Sequence, residues 1–232
     1  MNPGWEELAP VTTATKDARR SQERSGRRPF AVAAIVGVGL GVFSILADGI
    51  VDWRAFVILG NLASPWGLAA FLIGLRTTSL RKGALAGALA LLLGVATYYV
   101  GVALRGYVFG GANAVWTVVA VVAGPIMGQS GAAVSARRER PPVAAVAAPA
   151  AMLLAEAIFF VIDRRIWLYD LRTQPYRLVD LGIVALLLAG ALVIPVRFAK
   201  DRRPLVYLVV AAAGACGALG FQASYRLIVA IT

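Results

Sequence analysis

Seven stretches of about twenty predominantly apolar residues run through this chain, at about Phe30 to Ala47, Ala55 to Leu75, Gly83 to Leu104, Asn113 to Ala136, Val143 to Ile162, Val179 to Val196 and Leu205 to Ile231. An α-helix rises about 1.5 Å per residue and a bilayer core is about 30 Å thick, so each stretch is long enough to cross one. A soluble fold would alternate apolar and polar positions with a strand or helix period, whereas these stretches are apolar on every face. With 59% of its residues apolar and 15% charged, the chain cannot give a soluble body of 232 residues a solvated surface. The expectation is an all-α polytopic bundle of transmembrane helices, with about seven spans and six as the alternative count. Residues 29–232 form one transmembrane domain in this reading, with the lipid bilayer as its solvent. Residues 1–28 form a polar, basic tail without apolar periodicity, expected to stay mobile.

The charges test the span count. Cytoplasmic loops collect Lys and Arg. With the N-terminus inside, the tail holds Lys16, Arg19, Arg20, Arg24, Arg27 and Arg28, and later cytoplasmic loops hold Arg76, Arg81 and Lys82, then Arg137, Arg138 and Arg140, then Arg197, Lys200, Arg202 and Arg203. That is sixteen of the 23 basic residues. If the second stretch did not cross, every later cluster would change sides. The segment from Asp163 to Leu178 runs against this pattern with four arginines. Its Trp167, Tyr169 and Tyr176 suggest a stretch lying in the membrane interface. The first thirty residues carry Glu6, Glu7, Asp17 and Glu23 and show no cleavable leader pattern, so the first apolar stretch is expected to act as its own anchor. A plasma-membrane protein with a cytoplasmic N-terminus follows.

Composition excludes much chemistry. Histidine is absent and Cys216 is the only cysteine, which removes Ser-His and Cys-His catalysis, imidazole ligation and any thiolate metal cluster. No G-x-S-x-G, P-loop or paired aspartate motif occurs. An enzyme is therefore not expected, nor a cofactor. The net charge of +11 sits in short clusters between apolar stretches, which does not suit nucleic acid.

Polar residues inside spans carry the functional signal, because burying them in lipid is costly. Glu156 is the one acid well inside a stretch, roughly 10 Å below the end marked by Asp163 at about 1.5 Å per residue. Arg226, Arg105 or a tyrosine could meet it. Counting depth along helices of alternating direction gathers Asn61, Ser64, Trp66, Tyr98, Tyr99, Trp116, Glu156, Gln222, Tyr225 and Arg226 into the outer half of the bilayer. The inner halves are small and apolar. That asymmetry predicts a ligand pocket open to the outside. Pro65 cannot donate a backbone hydrogen bond and disfavours helix at Ser64, so the second span is expected to kink or break there and free carbonyls at membrane depth. A purely structural kink remains the alternative.

Small residues recur at four-residue spacing: Ala33, Gly37 and Gly41; Gly83 and Gly87; Gly124 and Gly128; Ala213 and Gly217. Such faces let helices approach closely. They serve packing, or, on the first helix, docking of a partner membrane subunit.

The Asn61-x-Ala63-Ser64-Pro65-Trp66 segment, the Tyr98-Tyr99 pair, Gly124-Pro125 and Ala155-Glu156 together resemble a family of small integral membrane proteins, mainly actinobacterial, that carries a domain of unknown function; the resemblance covers roughly residues 30 to 230. It implies the architecture and leaves activity open. More loosely, the layout is similar to the substrate-binding membrane subunits of energy-coupling-factor vitamin transporters, which typically have six spans. The function expected is a small-molecule binding or transport subunit; the alternative is a structural or assembly protein whose polar layer fixes helix packing.

The topology is testable by cysteine labelling in a Cys216→Ser background. A cysteine at Arg81 or Arg138 should react with an impermeant maleimide only after permeabilisation, and one at Asp163 should react in intact cells. The reverse pattern would invert the orientation.

Overall fold

The computed structural model describes residues 11–48, 54–106, 111–168, 171 and 174–231, with side chains described for these except 11–27, 111–113, 167, 175, 200, 224, 225 and 227–231. All regular structure among them is helical: α1 Val11–Ala47, α2 Arg54–Asn61, α3 Ser64–Gly74, α4 Leu80–Leu104, α5 Gly111–Ala136, α6 Val143–Arg164, α7 Leu178–Phe198 and α8 Arg203–Ile231, with 3-10 turns at Ile166–Leu168, Pro175–Arg177 and Lys200–Arg202. Six helices are long and apolar enough to cross a membrane, and the count is seven if the bent pair α2–α3 crosses as one span. The protein is a multi-pass helical membrane bundle.

One element differs from the expectation. The helix leading into the first span starts at Val11, so residues 11–28 are helical where an irregular tail was expected. Ala14, Lys16, Ala18, Gln22 and Glu23 are good helix formers, and a helix nucleated in the apolar stretch propagates back through them. Residues 1–10 lie outside the described part. Among the described residues the segment after α6 carries two 3-10 turns, and Arg165 ends α6 in the left-handed conformation (φ 48°). Tyr169 and the Trp167 side chain are outside the described residues, while Tyr176 is exposed and stacks under the Arg54 guanidinium, 5.2 Å from its ring centre.

The helices form two groups. In one, α4 packs between α1 and α5, with α3 against α4 and α5; in the other, α6 packs against α7 and α8. α6 is the axis of the bundle, with 61% of its span buried against 22–44% for the other five. Its Ala-rich first half (Ala145, Val146, Ala147, Ala150) sits in the main core with Phe71, Met127 and Val206. Leu153, Ala157 and Phe160 join a second cluster with Ile58, Ile183 and Leu187. At α2, Arg54 donates from Nε and Nη2 to the two oxygens of Asp180 on α7, at 2.9 and 2.6 Å. Asp180 is fully buried, and this bidentate pair compensates its charge.

The small-residue faces pack helices within the chain. Ala33 is fully buried, and side chains added at Gly37 or Gly41 would run into the α4 backbone at Ala90 and Gly94. The face expected to dock a partner subunit is therefore occupied by α4, because a residue-free groove accepts whichever helix reaches it first in the same chain. On α4 and α5, a Cβ on Gly83 would fall 2.6 Å from the Gly128 carbonyl oxygen, and one on Gly124 2.9 Å from the Ala88 Cα.

Gly128→Ala should lower stability by about 1–3 kcal/mol, because the new methyl meets the Gly83 carbonyl, backbone that no rotamer change can move. Thermal unfolding in detergent measures it; an unchanged melting temperature would contradict the close crossing.

Candidate functional site

Pro65 stands in the first turn of α3, where its missing N–H costs nothing. The chain leaves α2 at Asn61 and re-enters helix at Ser64, with the two axes bent by 59°. The break expected at Ser64-Pro65 is present. It exposes both amides and carbonyls at membrane depth, and each finds a side chain. On the α3 side, Ala63 N–H donates to Glu156 Oε1 (2.5 Å) and Ser64 N–H to Oε2 (2.8 Å), with the Ser64 hydroxyl also bonded to this carboxylate. Glu156 thus caps the N-terminus of α3, where first-turn amides have no helical acceptor and the helix dipole favours an anion. On the α2 side, Ser44 Oγ donates to the Gly60 carbonyl (2.8 Å) and Asn61 Nδ2 to the Val57 carbonyl (2.9 Å).

Neither Arg226 nor Arg105 meets Glu156. Arg226 is exposed, and Arg105 donates to the Ile45 carbonyl at 2.8 Å. The reason is geometric: the break presents the Ala63 and Ser64 amides directly to the Glu156 carboxylate, at 2.5 and 2.8 Å, where an arginine tethered at a span end would have to reach down.

Asn61 continues the network outward. Its Nδ2 donates to Asp48 Oδ1 (2.7 Å), and the Tyr98 hydroxyl donates to Asp48 Oδ2 (2.5 Å), so Asp48 links α2 to α4 from just beyond the end of α1. Tyr98 and Tyr99 have ring centres 5.8 Å apart, and Tyr99 hydrogen-bonds Thr117 on α5.

Two cavities adjoin at this break. The smaller, about 320 Å³, lies among α1 to α5 with Met152 of α6 and Phe221 of α8 at its border, and has Asn61, Trp66, Tyr98, Tyr99 and Trp116 in its wall, together with Ser44. The larger, about 660 Å³, opens between α2, α5, α6 and α8, with Glu156 in its wall and Asp163 and Arg164 toward its end. Asn61, Leu62, Trp116, Val119, Met152 and Phe221 border both. Of the residues singled out from sequence, Asn61, Trp66, Tyr98, Tyr99, Trp116 and Glu156 therefore come together around the cavities. Ser64 is buried behind them at 2% exposure, and Gln222 and Arg226 on α8 border neither cavity. The Tyr225 side chain is outside the described residues. Sequence reasoning missed Ser44 and Asp48; their signal was a hydroxyl and an acid four residues apart at the end of the first apolar stretch, one helical turn on the same face. No three of His, Cys, Asp and Glu gather into a metal-binding group among the described residues.

With this geometry in place, comparison with known proteins is informative on one point. The model of a family of unknown function, DUF6518, matches residues 20–230. The chain belongs to this family. Its match extends from within α1 through all of α2 to α7 and nearly to the end of α8. The break, its Glu156 cap and both cavities therefore lie inside the family's extent. No curated protein and no solved structure matches the chain.

Glu156→Gln replaces one acceptor oxygen by a donor and leaves the Ala63 or Ser64 amide facing an N–H. We expect a loss of roughly 1–3 kcal/mol, the cost of one unsatisfied buried donor. Glu156→Ala should lose more. Melting curves in detergent decide, and wild-type stability in either variant would remove the capping role.

Proposed function

We propose that the protein is a small-molecule binding or transport subunit of the plasma membrane, with a cytoplasmic N-terminus and its ligand site in the outer half of the bilayer. The observation that carries this reading is the asymmetry of the bundle. At one end, two adjoining cavities are walled by aromatic and hydrogen-bonding side chains; at the other, α3, α4 and α5 close glycine against backbone. A void of several hundred Å³ with aromatic walls and a few convergent polar groups is the usual form of a ligand site. A protein selected only for packing has no use for it, since empty volume in a bundle is destabilising.

The site supports binding better than catalysis. Neither cavity brings together a nucleophile and a base, and the buried acid in the wall, Glu156, already accepts from two amides. Transport would draw its energy from a separate ATPase subunit or from proton coupling through Glu156, because the chain carries no nucleotide-binding motif. The likeness to energy-coupling-factor substrate-binding subunits extends to the outward pocket and the small-residue first helix, with a seventh, bent span added.

One observation favours the second reading, a structural or assembly protein: Glu156 is fully engaged as a helix cap, a role that needs no ligand.

Trp116 separates the two. It borders both cavities and is 39% exposed, so its side chain contributes to the wall and little to the core. In native mass spectra of protein from lipid nanodiscs, we expect a bound small molecule that Trp116→Ala loses while its melting temperature falls by only a few degrees. Retention of that molecule by the variant, or repeatedly empty spectra from folded wild type, would shift the conclusion to the structural reading.

A further inference from the structure

Two carboxylates border the larger cavity and a third, Asp48, lies behind the wall of the smaller one, and their compensation differs. Asp163, in the wall of the larger cavity, lies 3.8 Å from Arg164. Glu156, in the same wall, accepts from two backbone amides and a serine hydroxyl, all neutral. Asp48, behind Asn61 and Tyr98 of the smaller cavity, accepts from those two neutral groups. Neither Glu156 nor Asp48 is in an ion pair among the described residues. Both oxygens of each accept hydrogen bonds, which is the arrangement of an ionised carboxylate. The Arg105 charge acts on Tyr98, but its guanidinium is turned to the Ile45 carbonyl.

The hydrogens of the wall point the same way. Ser44 donates to the Gly60 carbonyl, the Asn61 amide donates to Asp48 and Val57, and Tyr98 donates to Asp48. These groups have committed their protons inside the protein and present oxygen lone pairs to a ligand. No Lys or Arg borders the smaller cavity, so an anion there would meet only neutral donors. Trp66, Tyr98, Tyr99 and Trp116 add four aromatic rings, whose faces attract cations.

Resting on the binding reading above, we propose that the paired cavities take an organic ammonium ion: a protonated amine that gives its N–H groups to oxygens around Asn61, on an apolar body that fills the ring-lined space. Such a ligand supplies the positive charge that no ion pair gives Asp48 and Glu156 among the described residues, and it brings donors to the Ser44, Asn61 and Tyr98 oxygens, whose own protons are already committed. It also fits the apolar remainder of both walls, Leu62, Met152 and Phe221.

The test uses three probes of one shape, phenylbutylamine, phenylbutanol and phenylbutyrate, titrated into the full-length protein in nanodiscs with tryptophan fluorescence as readout, since Trp66 and Trp116 face the site. We expect the amine to bind about tenfold or more tighter than the alcohol, with the carboxylate weakest, as one charge-assisted contact and a ring-lined site imply. Asp48→Asn should weaken the amine by about tenfold and leave the alcohol unchanged, with melting confirming the fold. Alcohol binding as tight as amine, or carboxylate binding tighter, overturns the ammonium assignment and leaves the binding reading standing. Quenching by none of the three at millimolar concentration also overturns the assignment, and the binding reading then depends on the co-purified molecule alone.

Discussion

Both oxygens of Glu156 take the place of the carbonyls that Ala63 and Ser64 would have used in a continuous helix, and the rest of the polar end of the bundle depends on that substitution. An interrupted helix is not tolerated in an apolar medium unless each freed backbone group is met from within the protein. Glu156 meets two of them at 2.5 and 2.8 Å. Once the interruption is stable, the 59° bend becomes available, and the bend is what separates α2 from α5 and α6 enough to leave two cavities. A straight second span would carry Asn61 and Leu62 elsewhere and close the space.

The short helix before the break needs the same kind of support at its own ends. Eight residues are too few for a helix to persist on its own propensity. Arg54 anchors its start on Asp180, the Ser44 hydroxyl and the Asn61 side-chain amide donate to its Gly60 and Val57 carbonyls, and Phe43 packs edge-on against Phe56 at 4.6 Å between ring centres. Its ties run to α1 on one side and to α7 on the other, so the helix bridges the two halves of the bundle across the cavities. Few of these ties are broad apolar contacts; most are single polar links between specific atoms.

Much of this was legible in the residues. The spans follow from the apolar stretches, and the break from the geometry that Pro65 imposes on Ser64. Glu156 was conspicuous as a lone acid at depth, and depth counting brought Asn61, Trp66, Tyr98, Tyr99 and Trp116 to its level. Its partners were not legible. Which groups an embedded acid meets depends on how each helix is rotated about its axis, and depth counting carries no rotation, so arginines at span ends stood in for two backbone amides. The same limit hid the destination of the small-residue faces: a four-residue spacing marks where a helix can approach closely and says nothing about which helix comes. Arg54 and Asp180 escaped notice because charges at span ends read as orientation signals, although here they form the bundle's buried ion pair. The α1 extension escaped because helix propensity without apolar periodicity leaves a weak trace.

The glycine crossings at the far end set a mechanical condition on anything that enters the cavities. Where carbonyl meets α-carbon there is no side chain to swing, so thermal rotamer hopping cannot open a seam between α3, α4 and α5. The floor of the bundle behaves as a weld and not as a door. For anything lodged at the aromatic end, a path through that floor would need whole helices to slide apart, breaking many close contacts at once.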